Sequence, residues 1–246
     1  MPAAAARPKR SKKAEQRAEM MEQILDAAEY LFSVHGLHGT TLKDVAQRVG
    51  VHHSLMHYYF DDKKRLFDEV FARRANVTRS LRLEALEAYE RACGGKPTVE
   101  GALRAYLDTD LDLYINGGEG WRNFAALSAQ ASNATWGAEL FDEHFDQLIL
   151  KLVDLLKRAL PDSQEVDIFW CYHFVSGALM LTLARTGRID RLSGGLCDSE
   201  DFEAVKERMA RFMAAGFREI CRPVPARSPS RKPAAGRTAA TRTART

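Results

Sequence analysis

Apolar residues recur every three or four positions along most of the chain. Ile24, Ala28 and Leu31 show this spacing near the start, and Phe202 and Val205 begin a similar series near the end. This period is typical of amphipathic helices. No segment has the sustained alternation or the Asn-Gly or Asp-Gly turns of a hairpin. The pattern therefore predicts an all-α protein of nine or ten helices.

Glycine clusters divide this pattern, and only Pro97 and Pro161 of the eight prolines lie within residues 14–221. We predict helices over residues 15–35, 41–48, 52–58, 62–92, 98–115, 120–132, 136–160, 163–187 and 199–221. Whether 62–92 is broken near Asn76 stays open. The first four segments are short and polar-faced, whereas the later ones are longer and more apolar. We therefore expect an N-terminal domain at 14–75 and a C-terminal domain at 76–221.

Charge changes this picture at both ends of the 246-residue chain. Residues 1–13 carry five basic and no acidic side chains, and residues 222–246 carry seven basic and none acidic. The body between them has 24 basic against 33 acidic residues, a net charge of −9. An acidic body with basic ends favours local contact with a polyanion. The two end segments are rich in Ala, Pro, Arg and Ser, so we expect a disordered arm and a disordered tail.

Composition and motif searches exclude several classes of protein. The four cysteines have wide spacings without a C-x-x-C pair, and no nucleotide-binding, zinc-protease or hydrolase motif is visible. We expect neither a metal or cofactor site nor an enzyme. The longest uncharged stretch in the second half, Ile168–Ala184, is too short and polar for a membrane span, so we interpret it as a buried helix. With no signal peptide visible, we expect a cytoplasmic protein.

Residues 39–67 contain the motif that carries the chemistry. Thr41 can cap a helix with Asp44 three residues later, and Gly50 supplies the backbone freedom for a tight turn. A second short helix follows, with Val51 and Leu55, and also Phe60, expected to face inward. Two short helices joined by a glycine turn are typical of a helix-turn-helix, whose second helix lies in a DNA major groove.

The sequence here resembles the TetR family of one-component transcriptional regulators. The residues that carry the resemblance are Ile24-Leu25, Ala27-Ala28, Leu31-Phe32, Gly36, Thr40-Thr41, Val45-Ala46, Gly50-Val51, Tyr59-Phe60 and Asp62-Lys63. The resemblance implies a homodimer with an N-terminal helix-turn-helix DNA-binding domain and a C-terminal helical domain for ligand binding and dimerisation. The chain departs from the family pattern at His52, Ser54 and His57, where Ser or Thr, then Gly, then Tyr are usual.

Two groups of residues are candidates for contact with double-stranded DNA. Candidates for phosphate contacts, which set register and affinity, are Thr40, Thr41, Lys43 and Lys63. Candidates for reading bases are His52, His53, Ser54, His57 and Tyr58.

Each of these interpretations has an alternative. The three histidines could instead face solvent or form a metal patch, and positive charge at Lys63 could simply be balanced by Asp61 and Asp62. The basic ends could aid solubility rather than contact DNA. If the histidines meet phosphates, protonation should be favoured, and operator affinity should rise as pH falls from about 8 to 6.

The C-terminal domain is expected to hold two further functions. Helices 163–187 and 199–221 are the predicted homodimer pair, because they are more apolar than one intrachain face requires. A cavity for an unknown small hydrophobic effector would lie among the helices of 98–187. Its predicted lining residues, for each of which intrachain packing is the alternative, are Tyr106, Trp121, Phe124, Trp136, Phe141, Trp170 and His173.

These features favour a dimeric repressor of a palindromic operator that a small effector releases. The alternative is an architectural or global DNA-binding protein without an effector, in which the arginine-rich ends dominate and sequence preference is slight. A footprint distinguishes the two, because a regulator protects one palindrome and an architectural protein covers DNA uniformly.

Overall fold

A computed structural model describes residues 12–222, and all regular structure in that range is helical. A single 3-10 turn at Thr135–Gly137 precedes the seventh helix. The ten α-helices are α1 Lys12–Gly39, α2 Leu42–Val49, α3 Ser54–Tyr59, α4 Lys63–Ala92, α5 Val99–Asn116, α6 Glu119–Ser132, α7 Ala138–Ala159, α8 Glu165–Leu183, α9 Arg188–Leu192 and α10 Phe202–Ile220. The predicted all-α fold is confirmed.

Helices α1, α2 and α3 and the start of α4 form the head of the molecule. Ile24 and Phe32 of α1 are fully buried, and the Phe32 ring meets the Phe67 ring of α4 edge-on at 5.1 Å. Burying aromatic rings in such pairs stabilises the contact between the two helices. Gly36 interrupts α1 with φ of 71° and ψ of 174°, so its last residues turn toward α2. The head is thus a small helical unit built on α1.

The remaining helices form the body, and α4 belongs to both regions. Its first half packs on α1, the helix also packs on α5, and both of its halves contact α7, through Phe71 and Glu90. Helix α5 also packs against α10, and α8 contacts α6, α7 and α10. Helix α4 is continuous at Asn76, so the open question of a break at this residue is answered. One rigid element therefore joins the head to the interior of the body.

Several predicted boundaries differ from the observed ones. Lys12 and Lys13, which we expected in the arm, are helical, whereas the rest of the predicted arm and residues 223–246 of the tail lie outside the described residues. Helix α8 ends at Leu183 rather than at residue 187, and α9 was not predicted. Five residues make barely more than one turn, so a period of 3.6 cannot reveal such a helix.

Candidate DNA interface and effector cavity

The turn between α2 and α3 is built as the sequence predicts. Thr41 Oγ1 accepts the Asp44 backbone N–H at 3.2 Å, and the Asp44 carboxylate accepts the Thr41 backbone N–H at 2.8 Å. The Thr41 hydroxyl also donates to the Asp44 carboxylate at 2.7 Å, and the hydrogen bonds that this carboxylate accepts from the hydroxyl and from the backbone N–H of Thr41 lower the pKa of Asp44. At the other end of α2, Gly50 has φ of 80° and donates to the Ala46 carbonyl at 3.0 Å. A left-handed residue is favourable at a helix end when it is glycine.

Helix α3 has six residues and is held mainly by one buried side chain. Met56 is fully buried, while Leu55 and Val51, which we expected to face in, are half-buried. Phe60 is buried as predicted. No side chain caps the helix at His53, although His52 Nδ1 lies 2.9 Å from Ser54 Oγ. Because an isolated helix this short is unstable in water, packing of Met56 positions α3.

The predicted base-reading residues lie in α3 and in the two positions before it, and all of them are exposed. His52, His53, Ser54 and His57 are exposed, and Tyr58 is 66% exposed. Such a polar face on a packed helix matches the recognition helix of a helix-turn-helix.

Cations lie beside this face. Among described residues Lys63 makes no ion pair, whereas Lys64 bonds to Asp68 at 2.8 Å and Arg65 to Asp61 at 2.7 Å. Lys63 is therefore the cation of this turn that stays available for a phosphate. Sequence reasoning missed Arg17 of α1, whose guanidinium carbon lies 5.6 Å from the centre of the Tyr58 ring. A single arginine on a polar helix face gave no signal for it.

The remaining phosphate candidates lie at the N-terminal end of α2 and divide into two groups. Thr41 and Lys43 are exposed at the N-terminal end of α2, where the helix dipole favours an anion. Thr40 is 1% exposed, and its hydroxyl donates to the Leu31 carbonyl at 3.2 Å. The prediction that Thr40 contacts phosphate through its hydroxyl is therefore wrong, because that hydroxyl holds α1 against the loop before α2.

The head is tied to the body by a buried carboxylate. Glu29 of α1 is 2% exposed and accepts hydrogen bonds from Arg73 at 2.7 Å and from Arg74 at 2.9 Å. Arg74 also lies 5.0 Å from the ring of Trp121 on α6, and a Cβ at Gly120 would come within 2.1 Å of the Arg74 guanidinium. The start of α6 thus packs closely on the ion pairs that join α1 to α4.

Inside the body, α4, α5, α6, α7 and α8 enclose a cavity of about 30 Å³. In its lining Arg82 of α4 pairs with Asp110 of α5, with Nη1 and Oδ2 2.9 Å apart, and both side chains are at least 96% buried. Arg82 Nε also donates to the Tyr106 carbonyl at 2.9 Å. The cavity is lined by Thr78, Arg82, Tyr106, Asp110, Tyr114, Phe124, Ser128, Phe141, Phe145, Ile149, Tyr172, Ser176 and Met180.

Three of the seven predicted lining residues, Tyr106, Phe124 and Phe141, do line this cavity. The other four do not. Trp121 packs on Arg74, and Trp136 packs edge-on against Phe67 at 5.1 Å. Two more, Trp170 and His173, lie on the exposed side of α8. Their prediction as lining residues is wrong, because aromatic residues on two opposite faces of one helix look alike in sequence.

The polar lining was missed although a signal for it exists. Arg82 lies on the inward stripe of α4 between Thr78 and Leu86, and Asp110 occupies the same kind of position between Tyr106 and Tyr114. A charge on an apolar stripe at helical spacing marks a buried ionic group. The cavity thus contains one buried ion pair beside its aromatic lining.

Helix α8 has an outer face that no described residue covers. Val166, Trp170, Phe174 and Leu181 are each more than half exposed and recur at helical spacing. Among residues 12–222, α8 is also the one helix long and apolar enough to cross a membrane by length and composition, and only 28% of its most apolar window is buried. The interpretation of this helix as buried is therefore correct only for its inner face. Phe212 of the neighbouring α10 is 74% exposed as well.

A helix-turn-helix head on a helical body defines this protein as a DNA-binding transcriptional regulator. The profile described as "Bacterial regulatory proteins, tetR family" matches residues 24–70, and that of "Tetracyclin repressor-like, C-terminal domain" matches residues 104–216. The chain belongs to the TetR family of transcriptional regulators.

Relatives agree with this assignment. The chain is 40% identical over 50 residues to the biofilm operon icaADBC negative transcriptional regulator IcaR of Staphylococcus aureus. The aligned segment covers 20% of this chain and 27% of that protein. It is 30% identical over 87 residues to the regulator BetI of Agrobacterium fabrum, covering 35% and 41%. The match thus spans less than half of either relative.

Among solved structures, a TetR-like regulator from Rhodococcus sp. RHA1 is similar with a TM-score of 0.52 and 23% identity. The superposition covers 85% of this chain and all of that one. At this identity the likeness concerns the fold.

Proposed function

We propose that this protein is a dimeric repressor that binds a palindromic operator and is released by a small effector. The observation that carries the proposal is the uncovered apolar outer face of α8. Soluble proteins rarely expose a continuous apolar patch of this kind unless it is an interaction site. A second copy of the chain covers it by placing α8 and α10 of each protomer in a four-helix contact.

The head supplies the contact with DNA in this proposal. Ser54 and the three neighbouring histidines face the bases of the major groove together with Tyr58, while Thr41, Lys43 and Lys63 meet phosphates on either side. Six residues of α3 reach too few bases for selective binding. Two heads held about 34–36 Å apart read two half-sites one helical turn from each other.

Repression rather than activation is supported by the relative IcaR, which is named a negative regulator. The effector enters the cavity around Arg82, and its binding displaces α4. Because α4 is one continuous helix, movement near Arg82 changes the position of Lys63 and of the head. Operator and effector then bind antagonistically, and each weakens the other by the same factor.

Selection from random duplex DNA followed by footprinting tests this function. We expect one palindrome with half-sites one turn apart, protected by a protein that sediments as a dimer. Uniform coverage of any DNA, or single protomers on the selected site, would contradict the proposal. Uniform coverage would instead favour the architectural alternative.

A further inference from the structure

The cavity in the body contains a buried ion pair whose hydrogen-bonding capacity is only partly used. Arg82 Nη1 pairs with Asp110 Oδ2, but Arg82 Nη2 and Asp110 Oδ1 have no hydrogen-bond partner among the described residues. Ser128 Oγ and Thr78 Oγ1, which belong to the lining of the same cavity, have none either. Buried polar atoms normally have partners, because an unpaired one has lost its hydrogen bonds to water without replacing them. The unpaired atoms therefore point to something that completes them.

These atoms offer both kinds of hydrogen-bonding group in one place. Arg82 Nη2 is a donor, Asp110 Oδ1 is an acceptor, and the Ser128 hydroxyl can act as either. The pair as a whole is neutral, since one positive and one negative charge lie side by side. Burial raises the pKa of Asp110, and the charge of Arg82 opposes that shift.

The walls around the pair are aromatic. Rings from four helices surround it, and they have few polar atoms besides the tyrosine hydroxyls. These rings are Tyr106, Tyr114, Phe124, Phe141, Phe145 and Tyr172. Flat apolar walls around a small number of polar groups are typical of sites for small organic molecules.

We propose that the effector is a neutral molecule with a flat apolar body and a head that carries a hydrogen-bond acceptor next to a donor, as in a primary carboxamide or a lactam. The head oxygen accepts from Arg82 Nη2, and the head N–H donates to Asp110 Oδ1. The Ser128 hydroxyl binds the remaining polar atom of the head. This inference deepens the proposed function and rests on it, because it concerns the effector of that regulator.

Other classes of ligand fit the cavity less well. A carboxylate would add a second negative charge beside Asp110, and an ammonium group would add a second positive charge beside Arg82. Like charges at such short range are unfavourable in a buried site. A hydrocarbon would leave these buried polar atoms unpaired and would displace any water bound to them.

The cavity has about the volume of one water molecule, so the effector must separate the helices around it. Thr78 and Arg82 both lie on α4. An effector head that binds Arg82 therefore acts directly on the helix that begins beside the DNA-binding face. The same contact that recognises the head also moves α4.

Four matched probes test the proposal: naphthalene-2-carboxamide, naphthalene-2-carboxylate, 2-naphthylmethylamine and 2-methylnaphthalene. Binding to the full chain is measured by ligand-observed NMR and by thermal shift at up to about 1 mM. We expect the carboxamide to bind at least about tenfold more tightly than each of the other three. Equal binding of the hydrocarbon or of either charged probe would overturn the proposal, and so would binding of none of them.

Two variants place the carboxamide in the cavity. Asp110→Asn leaves Arg82 with an unpaired positive charge, so we expect the preference to change from the carboxamide to the carboxylate. Ser128→Ala keeps the ion pair. It should weaken binding of the carboxamide a fewfold without changing the affinity for 2-methylnaphthalene. The control is Asp108→Asn, because Asp108 lies on the same helix but pairs with the half-exposed Arg104 and does not line the cavity.

An unchanged order of probe affinities in Asp110→Asn would overturn the proposal. If that variant does not fold, Ser128→Ala decides the question, because an unchanged carboxamide affinity contradicts the assigned head contacts. Release of the selected operator is measured separately. A carboxamide that binds as expected but leaves operator affinity unchanged would contradict the proposed function and leave the chemistry of the cavity intact.

Discussion

The outer side of α3 and the outer side of α8 are both uncovered, but their side chains have opposite character. The exposed residues at the start of α3 and along it are polar, with three histidines and Ser54, whereas on α8 they are large and apolar, as at Trp170 and Phe174. A polar surface remains well hydrated until a polyanion replaces the water. An apolar surface is unfavourable in water and is stabilised by permanent burial. Under the proposed function, the contact at the head is therefore reversible and the contact at the body is lasting.

The largest expected effect tests the apolar outer face of α8. The substitution Trp170→Asp places a charge in the proposed α8 contact. We therefore expect the dissociation constant of the dimer to rise at least about 30-fold, which corresponds to about 2 kcal/mol. Sedimentation equilibrium measures it. The control is Leu150→Asp, since Leu150 is 57% exposed on α7 among polar neighbours. If Trp170→Asp stays dimeric, α8 is not the contact.

The next effect concerns the turn at Gly50, which sets the position of the polar side of α3. Gly50 has φ of 80°, and a Cβ there would meet no atom within 4 Å. The cost of Gly50→Ala is therefore one of backbone conformation, and we expect a loss of about 1–2 kcal/mol in the free energy of unfolding. Denaturant unfolding measures it, with Gly50→Asn as the control, because asparagine tolerates this conformation better. Equal stability of both variants and the parent would show that the turn is not strained.

A smaller change tests the polar side directly. Lys63→Gln should weaken operator binding severalfold and reduce the salt slope of the binding constant by about one, since one phosphate contact is lost. Lys64→Gln is the matched control, because Lys64 is already paired with Asp68. A slope that falls equally in both variants would mean that Lys63 has no special role.

The smallest effect is a dependence on pH. A phosphate stabilises the protonated imidazole, so binding takes up protons, and operator affinity should rise a fewfold as pH falls from about 8 to 6. Replacing His52, His53 and His57 together with asparagine should flatten this dependence. Binding constants measured at fixed salt that do not change across the range would exclude phosphate contact by these histidines.

Local signals predicted the head well. Thr41, Asp44 and Gly50 fix the ends of α2 through bonds within a few residues, so the sequence alone was sufficient there. What it could not decide was which residue of α3 enters the core. Met56 and Leu55 are neighbours of similar apolarity, and only the packing against the rest of the head makes Met56 the buried one.

The body was predicted less well for a related reason. Helix α8 is apolar on two faces, and periodicity does not distinguish the face that packs inside the chain from one that nothing covers. Trp170 was therefore assigned to the cavity. By contrast, Arg82 and Asp110 lie on apolar stripes where a charge is unusual, and that signal was available in the sequence but unused.

The dependence of α3 on Met56 has a consequence for how such regulators diverge. Because one inward side chain anchors the helix, its outward positions contribute little to folding. Exchange of those outward residues can then create a preference for a new DNA sequence while the scaffold stays intact. His52, Ser54 and His57, the positions at which this chain departs from its family, are all exposed in this way.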